Sequence, residues 1–139
     1  MSEPLVGVVI VTHGMLATEL LNAAETIVGD LSRFTAVSIG WHDDVPVATA
    51  AMARAIERVD AGAGVLLLTD MFGGTPANLA MTFLEAGRLE VITGVNLPML
   101  IKLARANDAT DVLEAARAIA SDGREAIRVA SDLLRGTGN

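Results

Sequence analysis

The 139-residue sequence contains no cysteine. Disulfides, zinc fingers and thiol chemistry are therefore excluded. It also lacks a basic run: ten Lys and Arg stand against 17 Asp and Glu, for a formal net charge of −7 at pH 7. Nucleic-acid binding needs a Lys/Arg footprint that neutralises phosphates, so none is expected. No apolar run approaches the ~18–20 residues of a membrane span. The opening "MSEP" has neither the positive start nor the cleavage site of a signal peptide. These absences predict a cytoplasmic chain with no membrane insertion.

Missing motifs narrow the chemistry further. There is no G-x-G-x-x-G after the first apolar run, no G-x-x-x-x-G-K-[ST] and no G-x-S-x-G. Dinucleotide, P-loop and nucleophile-elbow readings fall away, and no cofactor is expected. His13, His42 and Asp70 are conceivable metal ligands, but nothing has ligand spacing, so no metal is expected. His42 reads as a solvated loop residue.

What is present is apolar. Hydrophobic residues make up 52% without glycine and about 61% with the 13 glycines, where ~45–50% is usual. The charged fraction is 19%. This favours an α/β protein whose central strands are buried on both faces, and leaves apolar surface for a partner. The length suits one domain, residues 1–139, with 135–139 frayed.

Periodicity supplies the elements. Residues 5–12 are short, continuous and β-branched, as in a central strand. Leu16, Leu20, Ala23 and Ile27 follow at helical spacing, and Gly29 is a natural stop. Residues 34–39 read as a second strand. "GWHDDVP" is a loop, with Pro46 in the first turn of a helix striped by Ala48, Met52, Ala55, Ile56 and Val59. A third strand ends near Thr69 and Asp70. After "MFGGTP", Thr75 is the expected cap of a helix starting at Pro76 and running to about Ala86, before Gly87. Residues 90–93 form a short fourth strand, and Pro98 opens a helix to about Ala106. Asp108 or Thr110 caps the next helix, which ends near Ser121 and is broken by Gly123. Residues 126–134 fit an edge strand or a helix.

Strands and helices alternate over short connections, which argues a doubly wound, mostly parallel sheet with helices on both faces. Such sheets bind ligands beyond the carboxyl ends of the strands, where strand order reverses. With order 2-1-3-4, strands one and three are neighbours there. His13 and Asp70 then face each other. His13 precedes a helix N-terminus, whose free N–H groups attract anions. A carboxylate on one ring nitrogen sets the tautomer and leaves the other nitrogen nucleophilic. Gly73 and Gly74 let N–H groups converge into an anion nest. A plain loop histidine, a loop carboxylate and a capped turn are the structural alternatives for each feature taken singly. Together they describe a phosphate site with a nucleophilic imidazole.

"VVIVTHG", "LLLTDMFGGTP" and "VITGVNLPML" resemble, in order and spacing, the landmarks of the EIIA component of the mannose family of the bacterial sugar phosphotransferase system (PTS). The resemblance covers nearly the whole chain. It implies that His13 is phosphorylated, that Asp70 orients its ring, and that Gly14, Gly73, Gly74 and Thr75 line the phosphoryl site. Phe72 and Thr75 stand where that family often has Trp or another residue and Ser; an apolar contact and a hydroxyl are kept. It also implies HPr as donor, a separate IIB protein as acceptor, and a homodimer with an antiparallel edge strand near the C-terminus. Imidazole, ordinarily near pKa ~6.5, is largely neutral in the cell and can attack phosphorus. An acidic rim, including Asp43 and Asp44 beside Trp41, suits a basic HPr surface. Two alternatives share the chemistry. One is the phosphotransferase subunit of dihydroxyacetone kinase, which is similar in fold. The other is a regulatory phosphoprotein without sugar transport. "THG" resembles the "RHG" of histidine phosphatases, but the arginine is absent.

Overall fold

A computed structural model describes residues 4–40, 43–108 and 111–136. The order is β1 (Gly7–His13), α1 (Leu16–Val28), β2 (Phe34–Ile39), α2 (Val45–Val59), β3 (Val65–Thr69), α3 (Gly74–Met81), β4 (Leu89–Thr93), α4 (Leu97–Arg105), α5 (Val112–Glu125) and α6 (Ala130–Leu134). The four strands form one parallel sheet in the order β2-β1-β3-β4.

The two faces of the sheet bury two cores. Val8, Ile10, Leu66 and Leu68 lie with residues of α1, α4 and α5, among them Ala24, Leu100 and Ile119. Val9, Val11, Val65 and Leu67 lie with Met52, Ile56 and Leu79 of α2 and α3. The period-two alternation of β1 and β3 divides their side chains between these layers. Arg33 adds a polar tie, donating from Nη1 to the Val6 carbonyl and from Nη2 to the Leu103 carbonyl near the end of α4.

Four expectations need correction. First, α3 begins at Gly74, with Gly73 at its cap and no side-chain cap bond. Thr75 is therefore inside the first turn, and Pro76 sits third, where it still lacks only an N–H that the helix does not use. That helix ends at Met81 rather than near Ala86. Its end tightens through Thr82 N–H to Leu79 O and Phe83 N–H to Ala80 O, and Glu85 bridges Leu89.

Second, the cap of α5 is Asp111, whose carboxylate accepts the Glu114 N–H at 2.8 Å. Asp108 lies too early for this bond, and Thr110 is outside the described residues. Third, Gly123 does not break α5, which continues to Glu125. The glycine is there for closeness: a Cβ at 123 would lie 2.7 Å from Met99 Sδ.

Fourth, the described C-terminal residues form no antiparallel strand. Ala126 and Ile127 donate to Asp122 O and Arg124 O, and Asp132 and Leu133 to Val129 O. These local bonds take up the donors that a sheet ladder needs. Residues 127–129 are irregular, and 130–134 form α6. The expected fraying at 137–139 lies outside the described residues.

Candidate functional site

His13 is the last residue of β1, at the carboxyl end of the sheet. It follows Val9 and Val11 on one strand face, toward α2 and α3. Asp70 follows the last residue of the adjacent β3. Val11 is in register with Thr69, so the two chain ends leave the sheet side by side. His13 Nδ1 lies 2.8 Å from Asp70 Oδ2. The His13 main-chain N–H donates to the same oxygen at 3.2 Å. One carboxylate oxygen therefore holds both the ring and the backbone that carries it.

Burial pushes the Asp70 carboxyl upward. The hydrogen bonds from the His13 ring and main chain, its own main-chain bond and the nearby charge outweigh that, and hold it below the usual carboxylate range. Asp70 is thus an ionised acceptor, and Nδ1 must carry the proton that it accepts. The Nε2 lone pair is left free. The His13 side chain is 50% exposed, while that of Asp70 is only 14% exposed. Asp70 Oδ1 is buried and has no partner among the described residues.

Nε2 faces the start of α3. A Cβ on Gly74 would lie 3.1 Å from both Cε1 and Nε2 of His13, and Gly74 has φ +85°. Space and backbone conformation both select glycine there. Gly73, at φ +88°, turns the chain into the helix. No hydrogen bond among the described residues uses the N–H of Gly73, Gly74 or Thr75. First-turn N–H groups of a helix have no intrahelical acceptor and favour an anion. Gly14, at φ +55°, turns the chain out of β1, and its N–H is committed to the Ile39 carbonyl at 2.9 Å. Gly14 therefore shapes the turn, while Gly74, the first residue of α3, lies against Nε2.

The other sequence candidates fall elsewhere. Trp41 and His42 lie outside the described residues. Asp43 folds back on its own loop, accepting the Gly40 N–H at 2.6 Å, and Asp44 precedes α2. No group of three His, Cys, Asp or Glu that could hold a metal exists among the described residues. Sequence reasoning gives Phe72 only as an apolar contact implied by the resemblance, and misses Thr12, Met15 and Met71. Thr12 is fully buried and its Oγ1 accepts the Ala17 N–H at 2.6 Å. Met15, Met71 and Phe72 flank the site as exposed apolar side chains, Phe72 at 75%. Their signal is the apolar residues within two positions of each polar strand end, in "HGM" and "DMF".

The family described as "PTS system fructose IIA component" (EIIA-man) matches residues 7–121. The chain belongs to this family. The "PTS system mannose-specific EIIAB component" of Escherichia coli (strain K12) is 34% identical over 130 residues, covering 88% of this chain and 39% of that relative. This chain thus spans well under half the length of that relative. The "PTS system fructose-specific EIIA component" of Bacillus subtilis (strain 168) is 30% identical over 100 residues, 71% of this chain and 68% of its own. Among solved structures, the mannose/sorbose specific IIA subunit from Enterococcus faecalis is 31% identical with a TM-score of 0.80, covering 90% of this chain and 94% of that one. EIIA components are phosphotransferase-type proteins of the PTS. Consistently, no helix among the described residues is long and apolar enough to cross a membrane.

Proposed function

We propose that this EIIA chain is a cytoplasmic phosphocarrier, with His13 as the phosphorylated residue. The observation that carries the reading is the His13–Asp70 pair, which occupies Nδ1 and turns Nε2 toward the first turn of α3. The Nε2 lone pair attacks the phosphorus of phospho-HPr. A new N–P bond forms as the N–P bond to the HPr imidazole breaks, and that electron pair returns to the HPr ring. Asp70 keeps the Nδ1 proton in place and offsets the positive charge that the phosphorylated ring acquires. The N–H groups around Gly73, Gly74 and Thr75 hold the phosphoryl oxygens. Phosphoryl transfer asks mostly for such positioning and charge stabilisation. A second displacement hands the group on: a nucleophile of a IIB protein attacks the phosphorus, and the electron pair of the breaking N–P bond returns to His13 Nε2. Met15, Met71 and Phe72 supply the apolar rim on which both partners dock in turn.

The working unit is a homodimer. β4 is an edge strand, and a groove of about 520 Å³ runs between it and α5, lined by Val91, Thr93, Leu113, Ala120 and Ile127. The C-terminal segment exposes Ile127, Val129 and Leu134. An open sheet edge with a groove beside it, and exposed apolar side chains on the C-terminal segment, suit an interface between two copies.

The deciding experiment uses enzyme I, HPr and labelled phosphoenolpyruvate. One acid-labile, base-stable phosphate per chain is expected on the wild type and on His42→Ala, and none on a folded His13→Ala. Chasing the label with candidate IIB proteins identifies the acceptor. Label retained by His13→Ala overturns the reading.

A further inference from the structure

Thr12 immediately precedes His13, and the alternation of β1 sends the two side chains to opposite faces. Thr12 follows Val8 and Ile10 toward α1, whereas His13 follows Val9 and Val11. Thr12 is 0% exposed. Its Oγ1 accepts the N–H of Ala17, the second residue of α1, at 2.6 Å. The residue at the N-cap position is Met15, which makes no side-chain cap bond. A helix without a polar cap of its own is thus capped by a strand residue three positions earlier. This bond closes a ring of backbone around His13, Gly14, Met15 and Leu16. Inside that ring, the Gly14 N–H is tied to Ile39 O at 2.9 Å and the His13 N–H to Asp70 Oδ2 at 3.2 Å.

We infer that Thr12 is a positioning residue for His13. Its hydroxyl fastens the strand-to-helix turn from the α1 side, opposite the catalytic face. That holds the His13 main chain where Nδ1 meets Asp70 and Nε2 meets Gly74. Without the acceptor, the buried Ala17 N–H must seek another partner, and the turn shifts to provide one. A shift of ~1 Å in a reacting group far exceeds what transfer tolerates, and costs up to ~10²-fold in rate. The consequence for transfer rests on the reading of His13 as the phosphoryl carrier; the consequence for the ring does not.

The test therefore has two readouts on the full chain. The first is ¹⁵N–¹H long-range NMR of the two histidine rings at about pH 8, above the ordinary imidazole value of ~6.5. The second is single-turnover phosphoryl uptake from phospho-HPr. Thr12→Ser keeps the hydroxyl and is expected to match the wild type, with His13 in its Nδ1–H tautomer. Thr12→Val keeps the shape but not the acceptor. It is expected to show mixed tautomers at His13, an unchanged His42 ring, and uptake slower by about tenfold. Thr12→Ala is read the same way if valine prevents folding. Leu20→Ala, on α1 away from the turn, controls for lost stability and is expected to leave both readouts as in the wild type. A wild-type His13 ring and rate in the folded Thr12 variant overturn the inference, as does the same tautomer mixture in Leu20→Ala. A wild type that takes up no phosphate while Thr12→Val still disturbs the ring refutes the carrier reading and leaves Thr12 in its positioning role.

Discussion

His13 and Asp70 are 57 residues apart in sequence, yet Nδ1 of one lies 2.8 Å from Oδ2 of the other. Neighbouring parallel strands end there together. The pair decides which ring nitrogen is available, so its removal has a specific expected outcome. Asp70→Asn keeps the size of the side chain but offers an amide donor to Nδ1, favouring the wrong tautomer, and carries no charge. In a serine protease triad the equivalent change costs ~10⁴ in rate. Here a loss on the order of 10–10³ is expected, because the N–H groups near Gly74 still hold the phosphoryl oxygens. Single-turnover transfer from phospho-HPr, with a thermal melt alongside, measures it. An unchanged rate refutes the orienting role.

The same pair makes stability depend on acid. Burial raises the Asp70 pKa, but the hydrogen bonds to His13 outweigh it and the net direction is down. A carboxyl with a folded-state value below its unfolded one stabilises the fold above the unfolded value of ~3.9. That stabilisation is lost as pH falls through the lower, folded value. Wild type is therefore expected to melt above Asp70→Asn at pH 5 and 6. The difference should shrink once the pH drops below about 4. A gap that widens in acid contradicts the assignment.

Gly123→Ala is expected to destabilise the fold, although alanine is the better helix former by about 1 kcal/mol. The added Cβ meets Met99 Sδ at 2.7 Å and Cγ at 2.9 Å. Met99 is 2% exposed and cannot swing into solvent. Overpacking of this kind costs ~1–3 kcal/mol, so the net loss is about 1 kcal/mol. Urea unfolding measures it, and a raised midpoint refutes the close-packing account of this glycine.

Asp43 and Asp44 give a charge test. If they steer HPr, Asp43→Asn combined with Asp44→Asn slows phosphate uptake at low salt and matters little at high salt. Asp43 also accepts the Gly40 N–H at 2.6 Å. Asp44→Asn alone therefore separates charge from loop geometry. Salt-independent slowing confined to variants carrying Asp43→Asn assigns these residues a structural role only.

For the dimer, light scattering at micromolar concentration is expected to give twice the chain mass. Deleting residues 127–136 removes Ile127, Val129 and Leu134, and is expected to give a monomer that still melts cooperatively. A wild-type monomer refutes the homodimer.

Much of this is legible in the sequence. β2 runs Phe34–Ile39 as its pattern predicts, and α1 stops at Gly29, where φ is +88°. The 2-1-3-4 order brought His13 and Asp70 together because buried apolar strands, short crossovers and the switch in strand order leave few other arrangements. The start of α3 is not legible in the same way, because "GGTP" offers two local solutions: a threonine cap, or a glycine turn fitted to the ring of His13. Only the packed structure distinguishes them.

The sequence by itself determined the layers, the sheet end that carries the site and the residue types gathered there. Those depend on local periodicity and on which side chains must leave water, and both are written along the chain. Tertiary structure alone decided that Gly123 stays helical against Met99, that Thr12 caps α1 across the His13 turn, and that Gly74 lies against Nε2. Each is a fit of a few tenths of an ångström, set by how packed elements approach one another. No spacing in the sequence encodes that distance, because it is the outcome of every contact in the two cores at once.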